Sequence, residues 1–479
     1  MSRKSKMDLI DLEIDPKPVR GAMTGLAGLL LVAQTFRVLG LARSVDRHIH
    51  LKQRDRGFTE AEMVESLVLL QAAGGDALDD LDKLRGDKGG DRALEKMLGH
   101  QVPGPDAARK FLYRFHSDDK MKAAKEARSP GQLAFIPQET EVLEGLGQVN
   151  QDLVKQMGRR MPEQRIATVD QDATIQMSRN KEALPTYEGG RGYQPMVTVW
   201  AETGLSLADE YRDGNVPAGM SVLPAAKRAF AMLPPSVKEL YYRGDSASYQ
   251  WELLGWLRNE DRKEGPKGPI GFAISADMSI QLRAAIVELP EGDWKPYKAP
   301  GHLVDALKDW AEVPYVPTEA TEHKDSPPLR YLSIRIRPRQ GELFADGTQV
   351  KYFAVVSNRW DLEGARLLQW QRQKAGTIEL LHDVTKNELG GGVSPCQRFG
   401  ANAAWFRIAL LTNNVLVALK RIALPAELLD ARPKRLRFEV FVHAGRLVQH
   451  ARTVVLRLSG PLARVSCLLA AWHLLAAPA

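Results

Sequence analysis

Near residue 165 the sequence stops repeating with the period of a helix and begins to alternate, and that switch limits the folds open to the chain. The stretches RIATVDQDAT, GYQPMVTVWAET and GLSLADEYRDGN each read as a strand, the last two joined by a tight Thr203-Gly204 turn. A helical pattern, SVLPAAKRAFAML, follows. Next comes the strand KELYYRGD ending at Asp245, a helix from Tyr249 to about Asp261, and a fifth strand, PIGFAISAD. The order β-β-β-α-β-α-β predicts an α/β unit: an antiparallel trio, then right-handed crossovers, with helices flanking a mixed sheet.

The flanking segments have a different character. Residues 1–158 read as helical throughout. FTEAEMVESLVLLQAAGG opens on a capping box, Thr59 with Glu62, and stops at Gly74-Gly75. DALDDLDKLRGD and GPDAARKFLYRFH follow as short helices, the latter carrying Arg109, Lys110 and Arg114. Short helices ending in one with a basic face suit a helix-turn-helix-like DNA-binding region; a helical cap with solvated charges is the plainer alternative. The α/β unit spans 159–279. Residues 280–350, rich in proline and with a strand in LRYLSIRIRP, read as a β-rich insertion. The unit resumes over 351–425 with the strand VKYFAVVSN and one long helix, DLEGARLLQWQRQKAGTIELLHDVTKNE. Over 426–479, LRFEVFVHAGRLVQHARTVVLRL reads as a hairpin turning at Ala444-Gly445, with Arg435 and Arg437 on it, before a last apolar helix.

At 479 residues the chain exceeds what one hydrophobic core organises. Its 66 Lys and Arg against 59 Asp and Glu give +7, a mild excess that permits a polyanionic partner without demanding one. Cys396 and Cys467 are the only cysteines, which excludes a disulfide framework or a zinc site built on thiolates and suits a reducing cytoplasm. The start, MSRKSKMDLIDLEIDPKPVRG, carries no signal-peptide run. The apolar stretches GLAGLLLVAQTFRVLGLA and ARVSCLLAAWHLLAA read as core helices, being interrupted by Gln34 and Arg37 or too short to span a bilayer.

The carboxylates carry the chemistry. Asp170 follows an apolar strand, where an acid is costly to desolvate unless something positive compensates. Asp172 stands two positions on, on the same face, and adds repulsion that a bound cation would relieve. Asp245 ends another strand, with Arg243 two residues before it. A third acid is expected from a helix packed on the sheet. Glu379 is the candidate, with Lys386 two turns along the same helix face to meet a substrate phosphate; surface positions on an amphipathic helix are the alternative for both. Carboxylates so gathered suit oxygen-seeking magnesium, and a pair of such ions suits in-line phosphoryl transfer.

In the order and spacing of these motifs the chain resembles the DDE transposases of bacterial insertion sequences, in the cut-and-paste branch with a β-rich insertion before the catalytic helix (the insertion-sequence 1380-type group). TVDQDAT is similar to that family's first-acid strand, RGYQPMVTVWAETG and YRDGNVPAG to its next strand and turn, YRGDSASY to its second-acid motif, and VVSN to the strand before its helix. The family helix motif runs Tyr, two residues, Arg, three residues, Glu, six residues, Lys. Glu379 and Lys386 fit its last two places, while its first two hold Arg372 and Ala375; Trp370 and Arg372 or Lys374 are the substitutes at hand.

The resemblance implies an RNase H-like core. It implies catalytic and metal-binding Asp170, Asp245 and Glu379, holding two Mg2+ ions that Mn2+ could replace. It further implies phosphate contacts from Arg243, Lys386, Arg372 and Lys374, and a base stacked on Trp294 or Trp310, a buried core tryptophan being the plainer alternative for either. The partners would be double-stranded DNA, as terminal inverted repeats and as target, with a homodimer assembled on it. Water would cut the element's end, and the freed 3′-hydroxyl would then join target DNA. Three other readings stay open: a metal-dependent nuclease that does not join strands, a catalytically silent DNA-binding descendant, and a hydrolase of small phosphoesters.

Overall fold

The computed structural model describes residues 22–52, 56–88, 90–297, 306–318, 328–338, 343–344, 346–450 and 453–477. The first 21 residues and parts of the insertion thus lie outside the described residues. A short strand β1 (Ala22–Thr24) leads into helices α1 (Leu29–Val38), α2 (Leu41–His48), α3 (Glu60–Ala73), α4 (Leu81–Leu84), α5 (Arg92–Leu98), α6 (Pro105–Tyr113), α7 (Asp118–Glu126) and α8 (Glu141–Arg160). The capping box at the start of α3 forms as read: the Thr59 hydroxyl accepts from the Glu62 amide, and the Glu62 carboxylate accepts from the Thr59 amide. Yet α3 is buried along nearly its whole length. It is a core helix, with no free face to lay in a DNA groove.

The strands begin at β2 (Ile166–Ala173). A small sheet of β3 (Gln176–Met177), β4 (Leu184–Pro185) and β5 (Arg191–Tyr193) follows, then β6 (Met196–Trp200), β7 (Leu205–Glu210), α9 (Val222–Met232), β8 (Glu239–Gly244), α10 (Trp251–Arg258) and β9 (Ile270–Ala276). This is the order the alternation predicts. α11 (Ile280–Val287), β10 (Lys295–Pro296), β11 (Ala306–Val313) and β12 (Arg330–Pro338) make up the insertion, and β13 (Lys351–Ser357) resumes the core. The insertion is no separate unit: its strands extend the main sheet, whose order is β10-β11-β12-β13-β9-β8-β2-β6-β7. Only β2–β8 and β8–β9 pair in parallel. Both faces of β2 are therefore covered, and its residues 167–171 are buried in unbroken succession.

Two expectations fail beyond β13. The long helix is broken into α12 (Gly364–Arg372) and α13 (Ile378–Glu388), with a tighter turn over Gln373–Gly376 between them. Gly376 and Thr377 interrupt the ladder, Thr377 at φ −120°, ψ −77°. α14 (Phe399–Ile422) and α15 (Pro433–Leu436) follow, then a π-helical turn over Arg437–Phe441, β14 (Gly445–His450), β15 (Thr453–Leu458) and α16 (Leu462–Ala476). The hairpin thus begins at Gly445 rather than turning there, and Arg435 and Arg437 lie ahead of it. Burial of Val440 and Phe441 draws that stretch into a helical turn. β14 also pairs with β1, tying the two ends of the described chain together. Among the described residues no helix is long and apolar enough to cross a membrane.

α14 is the spine. Almost every residue from Phe399 to Leu419 is buried, between the N-terminal helices on one side and β7 and α13 on the other. Its polar positions are matched in turn: Asn414 accepts from the Ser206 amide at 2.8 Å and donates to Asn150 at 2.7 Å. Arg407 reaches Glu139 at 2.7 Å and Asp209 at 2.8 Å, clamping the segment before α8 to the edge strand β7. Removing one member of a buried ion cluster strands the others. Arg407→Met is expected to lower unfolding free energy by about 3–5 kcal/mol in denaturant titration, the range for breaking a buried pair. A loss inside experimental error would show that this cluster does not hold the two regions together.

Candidate active site

The parallel register of β2 on β8 sets Asp170 beside Arg243 and Gln171 beside Gly244. Asp170 is fully buried and Arg243 is 2% exposed. Arg243 donates from Nε to Oδ1 at 2.6 Å and from Nη2 to Oδ2 at 2.8 Å, a bidentate pair. The Thr377 hydroxyl also donates to Oδ2. Arg243 spends its remaining nitrogen on the Trp370 carbonyl at 2.6 Å and on Gln373 at 3.4 Å. Both oxygens of Asp170 thus accept from an internal guanidinium, and Arg243 lies buried under α12 and the turn that follows.

One step further along the same strands and the same faces stand Asp172 and Asp245. Adjacent parallel strands lie about 4.8 Å apart, so these two carboxylates confront each other where the sheet ends. Burial, and then the charge of Asp172, push the Asp245 carboxyl up to about 6, and Lys374 offsets part of this. Lys374 pairs with Asp172 at 3.2 Å. Asp245 is held in place by the turn it caps, accepting from the Ala247 amide at 3.1 Å. That turn needs Gly244, since a Cβ there would lie 2.4 Å from the Ser248 hydroxyl oxygen. Asp172 is the acid that the sequence noted and did not assign. Two acids on one strand face are told apart only by what stands opposite, and the neighbour of Asp170 is an arginine.

α13 lies over this face. His382, one turn after Glu379, is buried; desolvation outweighs the charge of Asp172 and takes its imidazole down to about 4, so the ring is neutral at ordinary pH. Its Nε2 has no hydrogen-bond partner among the described residues. Lys386 donates to the Ile175 carbonyl at 3.2 Å, tying α13 to the loop after β2. Glu379, on the first turn of α13, is exposed, and no hydrogen bond or ion pair holds its carboxylate among the described residues. The structure brings Asp172 and Asp245 together and leaves Glu379 outside their contact: among the described residues no three metal-ligating side chains form a group able to hold an ion.

The other expected contacts divide. Lys374 belongs to the site, whereas Arg372 turns away, its guanidinium 5.6 Å from the Tyr297 ring in the insertion. Trp310 is a core residue packed against Gly364 at the start of α12, not a platform for a base. Trp294 is half-buried and already covered by Arg335 at 4.3 Å. Trp360, after β13, is the exposed indole that sequence reading missed, at 59%. In the N-terminal region Arg109 is paired with Asp106, and Arg114 donates to the Leu51 carbonyl. Lys110 and Arg114 nevertheless line an open cleft of about 790 Å³ with Lys52, Arg56, Phe58 and Phe111.

The raised Asp245 carboxyl has a signed consequence for stability. The proton is held more tightly folded than unfolded, so the group's stabilising share is full below about pH 4 and is lost as pH rises through about 6. Asp245→Asn is expected to unfold at a higher temperature than the parent at pH 8 without divalent ions, the difference vanishing as pH falls towards 4. Equal melting temperatures at pH 8 would show that Asp172 and Asp245 do not strain one another.

The profile of the family described as Transposase DDE domain group 1 matches residues 18–477. A solved structure, the cryo-EM structure of a piggyBac transposase synaptic complex with hairpin DNA, is 13% identical with a TM-score of 0.45, covering 86% of this chain and 78% of that one. No curated protein matches the chain. Since the family profile runs over nearly its whole length, the chain belongs to the group 1 family of DDE-domain transposases.

Proposed function

We propose that the chain is the transposase of an insertion sequence, cutting the element's ends and joining them to new DNA at a site formed by Asp172, Asp245 and Glu379. The single observation that supports this most is the pair Asp172 and Asp245: two carboxylates forced together at the end of a buried strand pair, at a cost in proton affinity that a cation would repay. Members of the family work with divalent metal ions. The donor set fits such an ion, since it is all oxygen and two carboxylates with water and phosphate complete the usual shell of magnesium. Asp172 and Asp245 would hold the first ion, and Glu379, whose side chain is free to swing from the first turn of α13, would hold a second. When bound, such ions supply the charge that activates the attacking hydroxyl and stabilises the departing oxygen.

The chain's own groups do the rest. Asp245 is anchored by the amide of Ala247 and is ionised at neutral pH, as a ligand must be. Lys374 balances Asp172, and its ammonium would be the group to meet the substrate phosphate. Lys386 fixes α13 to the loop after β2. In the first step water attacks phosphorus at the element's end and the bond to the 3′ oxygen breaks; in the second that 3′-hydroxyl attacks a target phosphodiester, and the target's own 3′ oxygen leaves. We take the partner to be double-stranded DNA held by a homodimer that brings two ends together, the setting to be a bacterial cytoplasm, and the subgroup to be the one its motif order resembles.

Asp172→Asn and Asp245→Asn are each expected to reduce cleavage of DNA carrying the element's end to background in Mg2+, with binding of that DNA unchanged in a gel-shift assay. Normal cleavage by Asp172→Asn would remove that residue from the site; joining without prior cleavage would sink the mechanism. In the N-terminal cleft, Lys110→Gln is expected to reduce the slope of log affinity against log salt by about 1, the value for one lost phosphate contact. An unaltered slope would place DNA elsewhere.

A further inference from the structure

Three groups from one short segment converge on the buried Asp170–Arg243 pair: the Trp370 carbonyl, the Gln373 side chain and the Thr377 hydroxyl. That segment is the break between α12 and α13, and Thr377 stands two residues before Glu379. We propose that Asp170 and Arg243 are positioning residues, a polar clamp that sets the rotation and height of the first turn of α13 and so presents Glu379 towards Asp172 and Asp245. The clamp rests on the site reading above.

Several observations favour a clamp over mere charge neutralisation. Thr377 is the residue before α13, where a threonine hydroxyl ordinarily accepts from a backbone amide of the first turn. No such cap forms; the hydroxyl lies instead against Asp170, with the Lys374 carbonyl also within 3.1 Å. The helix gives up its own cap for a bond to the sheet. On the other side of the break, the Trp370 ring is held in a stack of cations and rings. Arg359 lies 4.8 Å from it and 4.4 Å from Tyr241, and Arg243 lies 5.4 Å from it. The Trp370 end of the break is thus gripped by groups on β8 and by the loop after β13, and the Thr377 end by Asp170 on β2. A buried ion pair of this kind contributes little net stability against an apolar packing of equal volume. What it does supply is direction, because bidentate and carbonyl bonds fail when the partner rotates. An apolar contact would let α13 slide by a fraction of a turn, and Glu379 would move with it.

The test is a double-variant cycle read by metal binding, with no DNA present. Tb3+ alone is titrated by its luminescence into the full chain, the Glu379→Gln variant, the Thr377→Val variant and the variant carrying both. Thr377→Val removes one hydroxyl and spares the ion pair, so folding is retained, which an unchanged denaturant midpoint verifies; Asp170→Asn is run beside it as the stronger lesion. Glu379→Gln is expected to weaken Tb3+ about tenfold, and Thr377→Val about tenfold as an outer partner of a ligand, the lower end for such residues. The variant with both changes should be no weaker than either alone, since an unclamped Glu379 has nothing left to contribute. Independent, multiplying effects would overturn the clamp, as would a Glu379→Gln variant that binds Tb3+ like the parent. Asp172→Asn separates the two levels: if it leaves Tb3+ affinity unchanged the metal-site reading itself fails, whereas lost affinity together with multiplying effects at 377 and 379 removes only the clamp.

Discussion

A guanidinium lying between a sheet and a broken helix organises this molecule. Arg243 reaches Asp170 on the neighbouring strand and the Trp370 carbonyl overhead, so one side chain joins the centre of the sheet to the segment that carries Glu379. Neither partner could be buried alone: isolated charge in a low-dielectric interior costs several kcal/mol even after relaxation, on the order quoted for single ions in proteins. Their mutual dependence means that this face of β2 and β8 is complete only when residues 370–377 lie across it.

With Asp170 absorbed in this way, Asp172 is left facing a carboxylate instead of an arginine. Asp170 and Asp172 differ by two residues and share a face, yet one is saturated and the other repels its neighbour. The difference arises from the parallel register alone, which places arginine opposite one and aspartate beside the other. The site therefore holds only partly relieved negative charge directly next to a fully relieved pair. Lys374 and the neutral His382 complete its surroundings, the lysine as a partial counter-charge and the imidazole without any charge at the pH where Asp245 is ionised.

Much of this was legible from residues. Alternation located β2, β6, β7, β8 and β9, the strand expected to end at Asp245 ends one residue earlier at Gly244, and the resemblance to DDE transposases agrees with the profile match. What stayed hidden depends on contacts between distant segments. The apolar period runs smoothly through Gln373–Thr377, so nothing local announces that Thr377 will turn its hydroxyl to Asp170 and split the helix. Trp310 could be read as core or as a platform for a base until Gly364, 54 positions later, is seen packed against it. LRFEVF alternates like a strand, but Val440 and Phe441 bury more completely as a helical turn. The different surroundings of Asp170 and Asp172 have the same root, since strand periodicity fixes a face and says nothing of the neighbour.

The position of β13 bears on how the molecule comes into being. It lies between β12 and β9 although the chain reaches it only after the whole insertion has been laid down. A nascent polypeptide emerging from the ribosome therefore carries both aspartates of the site long before residues 351–377 exist to close the sheet and lock α13 over it. Such late, long-range pairing slows the search for the native topology. It also means that synthesis halted in the insertion yields a sheet with an open edge, a surface for which another chain's strand is the ready substitute.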